Sequence, residues 1–169
     1  FKRKATFSDE EGVLYPDNDE RAIFFAKGVV ETVKKLNWVP DIIHVHGWMA
    51  SLLPVYMKHY YKDEALFSDT KIVTSVYGQS FDGTLDPEMI NKVKFDNVPE
   101  EAVKELEIPN YEHLIMAAVK HSDAVIIASE SVSPSLTKFI ESSDKPFLPF
   151  TPKDKFAEAY TNFYKTMLP

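Results

Sequence analysis

The stretch from Trp38 to Met57, WVPDIIHVHGWMASLLPVYM, constrains the fold most, because the period of its apolar residues changes midway. Pro40 and Asp41 end whatever precedes them. Ile42 to His46 then read as a short buried strand, apolar and β-branched between breaker residues. Gly47 is the turn. From Trp48 the positions Trp48, Leu52, Val55, Tyr56 and His59 share one helical face. Pro54 lies in that face and kinks the helix or confines it to a few turns. Strand, one-glycine turn and helix make the first half of a βαβ unit. Open parallel sheets bind ligands beyond the carboxyl ends of their strands. His46, Gly47 and Trp48 are therefore placed where a site would lie.

The rest of the chain repeats the alternation. Phe1 to Tyr15 reads as an irregular segment or hairpin turning at Glu11-Gly12. Asp17 to Glu20 has the spacing of a capped helix start, and the helix runs to about Leu36. Its buried stripe is expected at Ala22, Ala26, Val29, Val33 and Leu36. Lys71 to Tyr77 is a second strand and Asp123 to Ser129 a third. Asn110 caps a helix running to about Ser122. Ser133 and Pro134 open another, a serine cap with proline in the first turn. From Asp82 to Ile108 the chain is cut into short helices or loops by Pro87, Pro99 and the Pro109 that follows, a pattern expected over an edge or a cleft mouth. Pro146 to Phe150, PFLPF, reads either as a short strand or as an extended linker, since Pro149 cannot donate in a sheet interior. A last helix carries Phe156, Tyr160, Phe163 and Met167 on one stripe. The fold class is α/β, a Rossmann-like, mainly parallel sheet flanked by helices. The division expected is 1–150 for the sheet domain and 151–169 for an amphipathic helix that packs back on it.

A net charge of −7 argues against non-specific binding to nucleic acid or to anionic membranes, both of which need a basic surface. No apolar run reaches the length of a membrane span. The 169 residues include no cysteine, so disulfides and thiolate metal sites are out, which suits a cytoplasmic location. His44 and His46 share a strand face, but no third ligand stands near them and no metal is assigned. His44 reads as packed and hydrogen-bonded under a helix. His46, at the strand end, is the better functional candidate. Trp48 reads most simply as core. Tyr77 and Gln79 flank the glycine after the second strand, where a ligand could come close to the backbone. Ser129 follows the third strand, and helix capping explains it equally well. The P-loop, G-x-G-x-x-G and G-x-S-x-G signatures are absent.

Three ordered stretches resemble the N-terminal domain of bacterial glycogen and starch synthases, glycosyltransferases of the two-domain GT-B fold. Asp17-Asn18-x-x-Arg21 is similar to that family's D-N-x-x-R-F, with Ala22 in place of the aromatic. Trp38-x-Pro40-Asp41-Ile42-Ile43-His44-x-His46-Gly47-Trp48-Met49 is similar to W-x-P-D-h-h-H-x-H-D-W-H, where h is apolar. Lys120-x-x-Asp123-Ala124-Val125 to Ser129 resembles the segment before the family's T-V-S motif. The resemblance covers about 1–140. Gly47 and Met49 stand where the family has aspartate and histidine, and Tyr77 replaces the histidine of T-h-H-N. The family's K-x-G-G-L motif lies upstream of anything in this sequence.

The resemblance implies transfer of glucose from ADP-glucose, a substrate rather than a cofactor, to an α-1,4-glucan. It also implies a substrate-binding set of His46, Gly47, Trp48, Tyr77, Gln79 and Ser129, with His46 the best candidate for a catalytic role and no catalytic set intact. The altered positions, and the lack of a nucleotide-sugar domain after Ile140, lead to the expectation that this chain is inactive alone. Two other readings stay open. One is a non-catalytic module that binds glucan or maltooligosaccharide or acts as a regulator. The other is a partner subunit that completes another chain or a homo-oligomer.

Overall fold

The computed structural model describes residue 3 and residues 5–168. Four strands, β1 (Ile42–His46), β2 (Lys71–Val76), β3 (Ala124–Ile127) and β4 (Phe147–Leu148), form one sheet in sequence order. Every neighbouring pair is parallel. The helices among the described residues are α1 (Asn18–Lys35), α2 (Leu52–His59), α3 (Met89–Phe95), α4 (Tyr111–His121), α5 (Pro134–Glu141) and α6 (Phe156–Lys165). The α/β sheet read from the sequence is the one found. PFLPF contributes a two-residue edge strand, and Pro149, with no N–H to donate, cannot extend it.

Strands laid down in order with right-handed crossovers put their connecting helices on one face. That face holds the main core. Ile43, Val45, Ile72, Val76 and Val125 point into it and meet Leu52, Val55, Leu114, Ile115, Leu136 and Ile140 of α2, α4 and α5. Among the described residues the opposite face is covered by α6 and the turn after it, where Tyr160, Phe163, Tyr164 and Met167 lie against Val73, Ala124 and Ile126. Phe156 stays largely exposed rather than joining that stripe. Tyr164, one residue off the expected spacing, joins instead.

Local signals explain most element ends. The Asn110 side chain accepts from the His113 N–H at 2.8 Å, and Ser133 Oγ accepts from the Leu136 N–H at 3.2 Å. Pro54 falls in the first turn of the two-turn α2, where its missing N–H costs nothing. A 3₁₀ turn, Trp48–Ala50, precedes that helix. Two expectations need correction. Asp17 does not cap α1 through its side chain. Its carboxylate takes the Arg3 guanidinium at 2.8 and 3.0 Å, while Glu20 turns to Lys92. The buried stripe of α1 is Ala22, Ala26 and Val30. Val29 and Val33 are only half-buried and Leu36 is open to solvent.

The proline-cut stretch is better packed than its sequence suggests. It forms α3 and two 3₁₀ turns, and Met89, Val93, Val98, Val103 and Leu106 enter the main core. Lys92 ties α3 to α1 by reaching the buried Asp19 at 2.7 Å, with Glu20 and Asp86 each at 3.0 Å. These acids hold its ammonium well above the ordinary lysine range, the Asp19 hydrogen bond contributing most.

Candidate functional site

Gly47 turns the chain at the end of β1 with φ of +75°, a left-handed conformation that favours glycine. The turn sends His46 and Trp48 to different places. Trp48 goes inward and is nearly buried, as the sequence suggested. Its ring sits between Phe7 and Phe81, each with its centroid 5.0 Å away. Phe7 arrives on the N-terminal hairpin, which closes through an antiparallel Ser8–Leu14 bridge with Gly12 at φ +85°. The buried Asn18 amide pins that hairpin by donating to the Phe7 carbonyl at 2.7 Å. Arg21 in turn donates to Asn18 Oδ1 at 2.7 Å. The Asp17-Asn18-x-x-Arg21 motif therefore works as a clamp that sets an aromatic side chain beside Trp48.

Phe7, Trp48 and Phe81 line a cleft of about 560 Å³, together with Ser8, Ser80, Asp82 and Thr84. Apolar ring faces beside hydroxyl and carboxylate groups suit a ligand with both apolar faces and many hydroxyls. Phe7 and Phe81 were not among the residues singled out from sequence. Each is a lone aromatic in an irregular stretch, and only the hairpin and the loop after β2 bring them to Trp48.

His46 faces the other side of the turn. Its Nδ1 shares a hydrogen bond of 2.8 Å with the Tyr77 hydroxyl, and loss of hydration lowers its pKa. Its ring lies 3.9 Å from that of His44. His44 is held at both nitrogens, Nε2 with Ser75 Oγ at 2.8 Å and Nδ1 with the Tyr164 hydroxyl at 2.5 Å. Burial first, then the neighbouring His46, pushes its pKa down to about 4, so the ring is neutral. The histidine pair is therefore committed to hydroxyl partners. Among the described residues no group of three or more His, Asp or Glu side chains is placed to hold a metal ion.

The other residues read from sequence are turned inward on their own loops. Gln79 donates to the Phe81 carbonyl and to Asp82. Ser129 Oγ pairs with Ser131 Oγ at 2.7 Å. The close approach that Gly78 permits is taken up by Ser131, whose Oγ would collide with any Cβ there. The structure thus brings His46 and Tyr77 together, puts Trp48 in a neighbouring cleft, and leaves Gln79 and Ser129 to shape loops.

Comparison with known proteins places these features in a family. Glycogen synthases are similar to this chain. That of Chlorobium limicola is 35% identical over 131 residues, covering 76% of this chain and 26% of that protein. That of Thermotoga petrophila is 31% identical over 140 residues, covering 82% and 27%. That of Elusimicrobium minutum is 42% identical over 89 residues, covering 51% and 18%. The chain spans about a quarter of the length of the first two relatives. The parallel α/β sheet agrees with the N-terminal half of a GT-B glycosyltransferase. The profile of the starch synthase catalytic domain matches residues 1–142, and the chain belongs to that family.

Proposed function

We propose that this glycogen-synthase-like domain binds α-1,4-glucan in the Phe7–Trp48–Phe81 cleft and does not transfer glucose by itself. The carrying observation is that cleft: an aromatic floor with polar walls at the strand ends of a synthase-family domain. Glucose rings offer apolar faces for stacking and hydroxyls for Ser80, Asp82 and Thr84. The altered positions support the inactive reading. Met49 brings a thioether, which cannot titrate, to a hollow shared with Phe24 and Phe25. Tyr77 spends its hydroxyl on His46. Loss of one preorganised polar contact costs about 10²–10³ in rate. A cytoplasmic location belongs to this reading, as the place of the sugar nucleotide and glucan it implies.

Titration of the protein with maltoheptaose, followed by Trp48 fluorescence in a Trp38→Phe background, tests the binding. A saturable change that Phe81→Ala weakens at least several-fold is expected. No change at millimolar maltoheptaose would remove the glucan reading. Incubation with labelled ADP-glucose and maltoheptaose tests inactivity, and lengthened oligosaccharide abolished by His46→Ala would overturn it.

A further inference from the structure

The aromatic cleft is uneven in charge. Of the described residues that line it, Asp82 alone carries one. The cation nearest in the fold, Arg21, lines the neighbouring hollow instead. The wall opposite Asp82 is the N-terminal hairpin, whose turn holds Asp9, Glu10 and Glu11. A cleft lined by one sign of charge draws in ligands of the other sign and turns away its own.

Asp82 is exposed, on a loop that turns at Gly83 with φ of +79°. Several contacts fasten the loop itself. Gly78 lies against Ser131, the Phe81 ring meets that of Tyr111 with centroids 5.9 Å apart, and Thr84 bridges to Asn110. The Asp82 carboxylate is held by Gln79. The Gln79 Nε2 donates to the Phe81 carbonyl at 3.0 Å and to Asp82 Oδ1 at 2.6 Å. Both partners are pure acceptors, so the amide has to present its NH₂ group, and both of its N–H bonds are spent. Asp82 Oδ2 has no hydrogen-bond partner among the described residues.

We propose that Asp82 is the specificity-determining residue of the cleft and Gln79 the positioning residue that aims it. The proposal rests on the glucan reading of the cleft and names which glucan it takes. With Oδ1 fixed by Gln79, the carboxylate keeps lone pairs for two neighbouring hydroxyls of a neutral glucose ring, and such charge-assisted bonds are the strong ones. The same charge repels a ring that bears an anion. The cleft therefore takes neutral α-glucan and excludes phosphorylated or oxidised glucan, a choice made by repulsion as much as by attraction.

The test is calorimetric titration with two probes, maltoheptaose and maltoheptaose oxidised to the uronate at C6 of each ring. At low salt the parent should bind the neutral sugar at least about tenfold more tightly, and salt should shrink that ratio. Asp82→Asn keeps the shape and removes the charge. It should weaken maltoheptaose several-fold and bring the two probes within about threefold of each other. Gln79→Glu separates aiming from folding. Two carboxylates so close share a proton in mild acid and repel each other once both are ionised. Maltoheptaose affinity of this variant should match the parent's near about pH 5 and fall several-fold by about pH 8. The parent and Gln79→Ala, which keep Asp9, Glu10, Glu11 and His46, control for the other ionisable groups around the cleft. No binding of maltoheptaose by the parent removes the glucan reading and this proposal with it. Binding of maltoheptaose without discrimination, or discrimination that survives Asp82→Asn, overturns this proposal and leaves the glucan reading standing. A Gln79→Glu profile as flat as the parent's overturns the part given to Gln79.

Discussion

The two faces of the sheet are held by different means. The face toward α2, α4 and α5 is apolar except at Thr74, whose buried hydroxyl pairs with that of Ser122 at 2.7 Å, and Leu52, Leu114, Ile115 and Ile140 are essentially without solvent exposure. The face toward α6 alternates apolar and polar positions. Ile42, Val73, Ala124 and Ile126 share it with His44, Ser75 and His46, and no residue of α6 is fully buried. Close packing fixes the first face. Packing on the second is partial, and the side-chain bonds of His44 supplement it. Packing should therefore contribute much on one side and modestly on the other, where an acid-sensitive bond at His44 supplements it.

The largest effect expected is from Leu114→Ala on the helical side. A fully buried leucine in a closed core costs about 2–5 kcal/mol when truncated. Urea unfolding at pH 7 measures it, and a loss below about 1 kcal/mol would mean the two faces are alike. Next is deletion of the residues after Phe150. Tyr160, Phe163, Tyr164 and Met167 are half-buried, and their combined burial is offset by the entropy of ordering the helix. A net loss of about 2 kcal/mol, with new binding of an apolar dye, is expected. Unchanged melting and no dye binding would show that α6 contributes nothing.

The sequence foretold the two faces unequally. Strands β1 to β3 were legible because short β-branched runs between breakers have few other uses, and α4 and α5 because Asn110 and Ser133 cap as their chemistry dictates. Helix α1 was legible as an element, but of its expected stripe only Ala22 and Ala26 are buried. Which half of it is covered depends on a neighbour, and no local pattern encodes that. The cleft was half legible: Trp48 stood at a strand end, but Phe7 reaches it only through the Asn18 clamp from eleven residues away. Gln79 and Ser129 bond within their own loops, and no local pattern separates that use of a polar loop side chain from ligand binding.

Acid should act on the α6 face through His44, while His59 and His121, whose pKa values burial also lowers, carry the acid response of the helical side. The folded pKa of His44 is about 4, below the ordinary value near 6.5. Above pH 6.5 the ring is neutral folded and unfolded, and its contribution is complete. Between 6.5 and 4 the unfolded chain takes up a proton that the folded chain refuses, so stability falls as pH falls. Discounted for partial solvent access, the loss is about 1.5 kcal/mol. Urea unfolding between pH 7.5 and 4.5 should show this step in the whole chain. It should be smaller in the protein cut after Phe150, where His44 meets water. An equal step in both would place its origin elsewhere.

The smallest effect separates packing from bonding on that face. Tyr164→Phe keeps the ring against the sheet and removes only the hydroxyl at His44 Nδ1, 2.5 Å away. A buried ring nitrogen left without its partner costs about 1 kcal/mol. If the tyrosine donates to the lone pair of the neutral ring, its loss also lets His44 take a proton more readily. The folded pKa then rises toward the ordinary value and the acid step shrinks. The variant should accordingly be less stable than the parent at pH 7 by about 1 kcal/mol, and the gap should close as pH approaches 4.5. A gap that stays constant would mean that the ring is the donor and the charged form keeps the bond. No gap at any pH would leave α6 held by its apolar contacts only, and the difference between the two faces would then be one of area alone.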